Sequence, residues 1–247
     1  MISPILAIRL GGPGALVGYL LTAFLGSAAT FTEVTLSVSH RTRLPNGQIM
    51  GGPMQYLERL ISHRLAKWYA LLCLILEAAW SGAQSNQLAA LLASPQLGSF
   101  SIPTMITGSA LAIFVLLFLI GGIRRIAELS GKLVPLMFVL CVGACFWIIF
   151  SNISMLPAIT VEIFKSLFSP YAMATGALIG GITSSMRWGI FKGVQTSEAG
   201  VGTQTIPHSM AETQDPVHQG ILAMVSTYSA GKFGSLTAVC NEYIVLF

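Results

Sequence analysis

Two stretches of the chain set polar side chains inside otherwise apolar sequence, and these are the residues able to do chemistry. The first holds Glu77, Trp80, Ser81, Gln84, Ser85, Asn86 and Gln87. At 100° per residue, Glu77, Ser81, Gln84 and Ser85 fall on or near one helix face. Lipid does not tolerate such a face, so it must meet protein or a hydrated cavity. Its amides and hydroxyls can hydrogen-bond a polar solute, or simply join neighbouring helices. The second stretch, from Tyr171 to Ser209, reads YAMATGALIGGITSSMRWGIFKGVQTSEAGVGTQTIPHS. Paired glycines let a helix open, and the freed backbone groups then need partners, which in a membrane can be a buried solute or ion. Gly180 and Gly181, followed by Thr183, Ser184 and Ser185, fit such a break. Close packing through small residues is the competing explanation. Trp188 could close a pocket or anchor at an interface.

Two acids stand apart. Glu33 lies near the end of the first apolar run, where it could be a functional acid or a local ion-pair partner. Glu198 follows Arg187 and Lys192 in a glycine-rich turn, which favours a gate or turn-stabilising role over catalysis. No HExxH, GxSxG, paired CxxC or GxxxxGK[ST] motif is present, so the chain is not expected to be an enzyme. His40, His63, His208 and His218 are scattered through polar connectors. Cys73, Cys141, Cys145 and Cys240 read as small apolar residues, with no metal or disulfide framework. No basic n-region precedes the first apolar stretch, so no cleavable leader is expected.

The elements that position these residues follow from composition. Of 247 residues, 54% are hydrophobic and 9% charged, and mean hydropathy is +0.75. A soluble domain carries about 25% charged residues. These figures imply an all-α integral membrane protein. Apolar runs of about 20 residues suffice to cross a bilayer. We place six, at approximately 13–38, 67–93, 102–120, 133–150, 171–191 and 219–247, in a single transmembrane domain, with interfacial amphipathic helices at 54–65 and 157–168.

The connectors test this topology. Arg41, Arg43, Arg59, Arg64 and Lys67 fill the first, and residues 94–101 carry no base. Arg124, Arg125 and Lys132 fill the third; the fourth has Lys165 beside Glu162; the fifth has Arg187 and Lys192. Basic and non-basic connectors alternate, so the odd ones are expected on the cytoplasmic side. The net charge of +4 is thereby explained without nucleic acid as a partner.

Several segments resemble the alanine or glycine:cation symporter family. The run LAIRLGGPGALVGYLLTAFLGSAATFTEVTLSVSHR is similar to the family's long helix, with GGPGA at its start and Glu33 near its end. GQIMGGPMQYLER resembles its GGPxxY loop, and GAQSNQLA its Q-x-N element. GGIRRIAELSGKLVPLM and MRWGIFKGVQTSEAGVGTQTIPHS resemble its GGIxRIA and RWG…SNEAG elements. The resemblance implies a five-plus-five inverted-repeat fold of the amino-acid/polyamine/cation type in the cell inner membrane. It implies sodium-coupled symport of alanine, glycine or D-alanine by alternating access, with Na⁺ as coupling ion and no other cofactor. By the same resemblance Gln84, Asn86, Gly180, Gly181, Thr183, Ser184 and Trp188 face the substrate, while Glu33, Ser197, Glu198 and Gly200 form a gate or turn motif.

Departures accompany it. The family's GTGN-like element precedes the point where Met1 to Pro4 stand here, and the family continues with further spans beyond Phe247. Thr196 occupies the position of the asparagine in SNEAG. Lys232 sits where the family is apolar. The expectation from these departures is a partial, decayed or split transporter that does not transport well alone.

Overall fold

The computed structural model describes residues 2–45, 47, 49–93, 103–120, 122–168 and 184–246. The protein is predominantly helical. Two compact units are present: residues 1–67 with 142–247, and residues 68–141.

In the first unit, α1 (Ile2–Gly11) ends where Gly12 turns left-handed at φ +76°, and α2 (Ala15–Ser39) follows at once. A side chain at that φ would be strained, which is why glycine serves there. A short hairpin, β1 (Thr42–Arg43) with β2 (Ile49–Met50), leads into α3 (Pro53–Leu60). Pro53 opens α3, where its missing N–H costs nothing.

The expected amphipathic helix over 54–65 is shorter than hydropathy implied. At Leu57 the carbonyl accepts from the amides of both Ile61 and Ser62. Ser62 Oγ then accepts from the Arg64 amide at 3.2 Å. A serine in that role starts a new helix, and α4 (His63–Leu92) begins there.

Most of α4, together with α5 (Thr104–Leu119) and the first two-thirds of α6 (Gly122–Ser151), makes the second unit. The basic residues Arg124, Arg125 and Lys132 lie inside α6, which starts at Gly122, ahead of the apolar run expected from residue 133. Leucines and phenylalanines on these helices are largely exposed. Arg125 sits over the Phe118 ring, 5.4 Å from its centroid.

The chain re-enters the first unit in the last third of α6, and a 3₁₀ turn (Ile153–Met155) and α7 (Leu156–Leu167) follow there. There α8 (Ser184–Ser197), the short α9 (Thr205–Ser209) and α10 (Pro216–Leu246) complete it. Within this unit α2 packs on α8, α9 and α10, and α1 packs on α8.

One buried cluster joins Ile8, Leu16, Tyr19 and Ala238, and another joins Val34, Val38 and Ala223. Small residues bring the backbones close. A methyl on Gly18 would lie 2.5 Å from the Met186 carbonyl oxygen, and one on Gly193 would lie 2.6 Å from Thr22 Cβ. Without a hydrophobic drive between helices in lipid, this close backbone approach is what holds helix pairs together. Among the described residues, α2 and residues 128–151 of α6 are long and apolar enough to cross a membrane, by length and composition.

Candidate functional site

The last three turns of α2 carry polar side chains at intervals of three and four residues, Thr30, Glu33 and Ser37, and Arg41 follows just beyond the helix end. That spacing stacks them along one face. The segment from Ser197 to Thr213 lies against this face.

Arg41 holds one end of it. Its guanidinium donates to the carbonyls of Ser209 at 3.0 Å, Ala211 at 2.7 Å and Thr213. The planar fork of arginine suits such a cluster of acceptors. Ser37 Oγ donates to the Thr205 carbonyl at 3.3 Å and accepts the Gly52 amide at 2.7 Å. Gly52, at φ +114°, lies against Ile206 so closely that a methyl would sit 2.9 Å from its Cγ1. One serine thus fastens the GGP loop and α9 to α2. Gln204 Nε2 donates to Thr30 Oγ1 at 2.8 Å, and Thr227 of α10 donates to the same oxygen at 3.3 Å.

Glu33 meets the other end. The Gly200 backbone N–H donates toward its carboxylate. Among the described residues its Oε2 is buried with no hydrogen-bond partner. The Tyr56 phenol is pushed above its ordinary value by burial first and then by the neighbouring Glu33 charge. Tyr56 lies on α3, just after the GGP turn, so both motif segments approach this acid.

The turn itself is unusual backbone. Glu198 is left-handed at φ +52°, as are Gly200 at +84° and Gly202 at +87°. The turn's amides are largely used locally: those of Glu198, Ala199 and Val201 donate to the Val194 carbonyl, to Ser197 Oγ and to the Glu198 carbonyl. The Glu198 carboxylate accepts from the Thr203 hydroxyl. Ser197 Oγ donates to the Gly193 carbonyl at 3.0 Å and accepts the Ala199 amide at 3.4 Å. Ala199 Cβ lies 2.9 Å from where a methyl on Gly26 would be.

At α9, Gln219 Nε2 donates to His208 Nδ1 at 2.8 Å, and burial pulls the imidazole below its usual range.

The residues singled out in the sequence therefore separate into groups. Glu33, Ser197, Glu198 and Gly200 come together. Ser184 opens α8 and is half-buried. Trp188 is half-buried one turn on, packed where Gly11 of α1 leaves room, and it meets Phe191 edge-on at 6.1 Å. Gly180, Gly181 and Thr183 lie outside the described residues. Gln84 and Asn86 stand exposed on α4 in the second unit, near Ser85, whose hydroxyl donates to the Ser81 carbonyl. Thr30, Ser37, Arg41, Tyr56 and Gln204 were not singled out. The signal available for them was the three-and-four spacing of hydroxyls below Glu33, continued by a base read only as a connector charge.

Comparison with known proteins adds the wider context. The sodium:alanine symporter family matches residues 5–239. A putative sodium/proton-dependent alanine carrier protein, YrbD of Bacillus subtilis, is 35% identical over 98% of this chain and 48% of its own length. The sodium/alanine symporter AgcS of Methanococcus maripaludis is 35% identical over 90% of this chain and 49% of its own. An uncharacterized transporter of Haemophilus influenzae is 34% identical over 90% of this chain and 48% of its own. The chain spans about half the length of the curated relatives it matches.

Proposed function

The chain belongs to the sodium:alanine symporter family, a family of membrane transporters rather than enzymes, and from that premise we propose that it serves sodium-coupled symport of a small neutral amino acid. The observation that carries this reading is the family match across 5–239. Alanine, glycine and D-alanine are the proposed substrates and Na⁺ the coupling ion. The fold of which these helices form part is the five-plus-five inverted repeat. It crosses the cytoplasmic membrane several times, with Arg41 and the ends of α6 and α8 that carry Arg124 and Lys192 toward the inside.

Gly180, Gly181, Thr183, Ser184 and Trp188 are proposed as substrate-facing, on the strength of the glycine-rich break and the RWG motif. Gln84 and Asn86 are proposed in the same role because lipid rejects amides on a membrane helix. Glu33, Ser197, Glu198 and Gly200 are proposed as the gate motif, supported by their convergence at the end of α2.

Uptake of labelled alanine into proteoliposomes holding the purified chain tests the reading. If the chain assembles a complete site, the expected result is accumulation under an inward Na⁺ gradient, suppressed by excess glycine. No accumulation from folded, inserted protein would favour the alternative, a partial or split transporter inactive alone. Accumulation unchanged when K⁺ replaces Na⁺ would remove sodium coupling. Accumulation blind to excess glycine and D-alanine would remove the small-substrate assignment.

A further inference from the structure

We infer that the turn from Ser197 to Gly202 is a hinged latch on α2, with Glu33 as its positioning residue and Arg41 fixing the far end of the same segment. The two ends are held very differently. At the far end a charged fork satisfies three carbonyls at once, those of Ser209, Ala211 and Thr213. Ser37 and Gln204 add ties to α2 on the way. Near α8 the turn is drawn to α2 by the Gly200 amide on Glu33 and by Ala199 seated against Gly26. Here one carboxylate oxygen remains buried without a partner among the described residues.

A buried, unsatisfied acceptor is a cost, and so is a non-glycine residue held left-handed, as Glu198 is. The first cost falls on the closed turn and is relieved if it lifts away, whereas the second is fixed at the end of α8 by the Glu198 amide on the Val194 carbonyl and marks where the chain bends. Left-handed residues at Glu198, Gly200 and Gly202 supply the swivel points. The end with the unpartnered carboxylate oxygen is the one that separates more easily, and the end with three charged hydrogen bonds is its fixed base. Tyr56 of α3 lies within reach of the same carboxylate's charge. The latch on α2 stands on these contacts alone, whereas its use as a gate rests on the symport reading above.

Matched cysteines test it. Ser197 is 9% exposed and Ser209 fully buried, and S197C and S209C are nearly isosteric. Their maleimide labelling rates in lipid, read peptide by peptide, report the two ends separately. The buried native thiols of Cys145 and Cys240 report global loosening. Glu33→Ala is expected to speed S197C labelling by about tenfold, the scale of one hydrogen bond to a charged group, and to leave S209C unchanged. Glu33→Gln, which keeps an acceptor without the charge, is expected in between. Arg41→Met is expected to do the reverse, exposing S209C and sparing S197C. Equal acceleration of both cysteines in Glu33→Ala, or of neither, overturns the latch. Acceleration of Cys145 and Cys240 as well would mean a structural role and overturns it too. Addition of Na⁺ with alanine is expected to change the S197C rate in the wild-type background. If the mutant pattern holds but this rate does not move, the latch stands and its gating role is overturned.

Discussion

The α2 helix and the last part of α6 are both long and apolar, yet 44% of the α2 window is buried against 6% for residues 128–151. The same contrast runs through the two units. In the first, α2 meets α8 and α10 along seams of small residues. In the second, methyls added at Gly82, Gly108 or Gly131 would meet nothing within 4 Å. Hydropathy marks both as able to cross a bilayer, although α2 is the less apolar, because lipid and a neighbouring helix are both apolar surroundings. What separates them is whether the glycines are used. A glycine pressed against a carbonyl marks a helix pair, and one facing open space marks only composition.

Filling the most crowded glycine breaks this contrast most directly. At Gly189 a Cβ would stand 2.9 Å from the Ala15 carbonyl carbon and equally close to the Tyr19 nitrogen. Backbone cannot step aside as a flexible side chain can, so Gly189→Val forces α8 off α2. Overpacking of this kind costs about 3 kcal/mol. The expected outcome is a markedly lower thermal midpoint in detergent and loss of the monodisperse species. An unchanged midpoint would mean that the α2–α8 seam does not hold the unit together.

The second-largest effect is expected at Arg41. Arg41→Met retains the stem and removes donors from three carbonyls, at a cost of about 2 kcal/mol. Hydrogen exchange of residues 209–213 should rise by more than tenfold, while exchange in α4 and α5 stays constant. Arg41→Lys should recover only part, since one ammonium cannot match the fork.

Arg41 also marks the boundary of what the sequence could tell. The apolar runs behind α2, α4 and α5 were legible because hydropathy and helix length are local properties. The start of α6 at Gly122 was not, since Arg124, Arg125 and Lys132 lower the hydropathy of a helix that continues regardless. The break at Ile61–Ser62 depended on one serine accepting one amide. Glu33, Ser197, Glu198 and Gly200 were marked out by a motif and do converge. Arg41 was read as a topology charge because its partners lie 168 to 172 residues away. No local pattern records such a pairing. The hydroxyls at Thr30 and Ser37 were silent for the same reason.

A smaller, pH-dependent difference is expected at α9. Burial lowers the His208 pKa from 6.5, so the unfolded chain binds the proton more readily than the folded one. Stability from this group is full above about pH 6.5 and falls as pH drops through the lower folded value. Protonation also removes the lone pair on Nδ1 that accepts from Gln219. The ring is only half-buried, which keeps the effect below that of Arg41→Met. Thermal midpoints between pH 5 and pH 7.5 should fall with acid in the wild type, and the slope should flatten in His208→Asn. An identical slope in the variant would assign the acid sensitivity to other groups.

The smallest effect sharpens the comparison from the other side. Gly108 lies inside α5 with nothing within 4 Å of an added methyl. Its neighbours Ile106 and Phe114 are 60% and 53% exposed. Alanine is favoured over glycine within a helix by about 1 kcal/mol, and no packing here opposes it. Gly108→Ala should therefore leave the thermal midpoint unchanged or raise it slightly, the opposite sign from Gly189→Val for a smaller addition of the same kind. If Gly108→Ala instead lowers the midpoint, a second surface closes on α5 in the folded protein, and its glycine is a packing residue like those of α2 and α8. The sign of one methyl thus decides whether the exposed helices of the second unit face lipid or another helix.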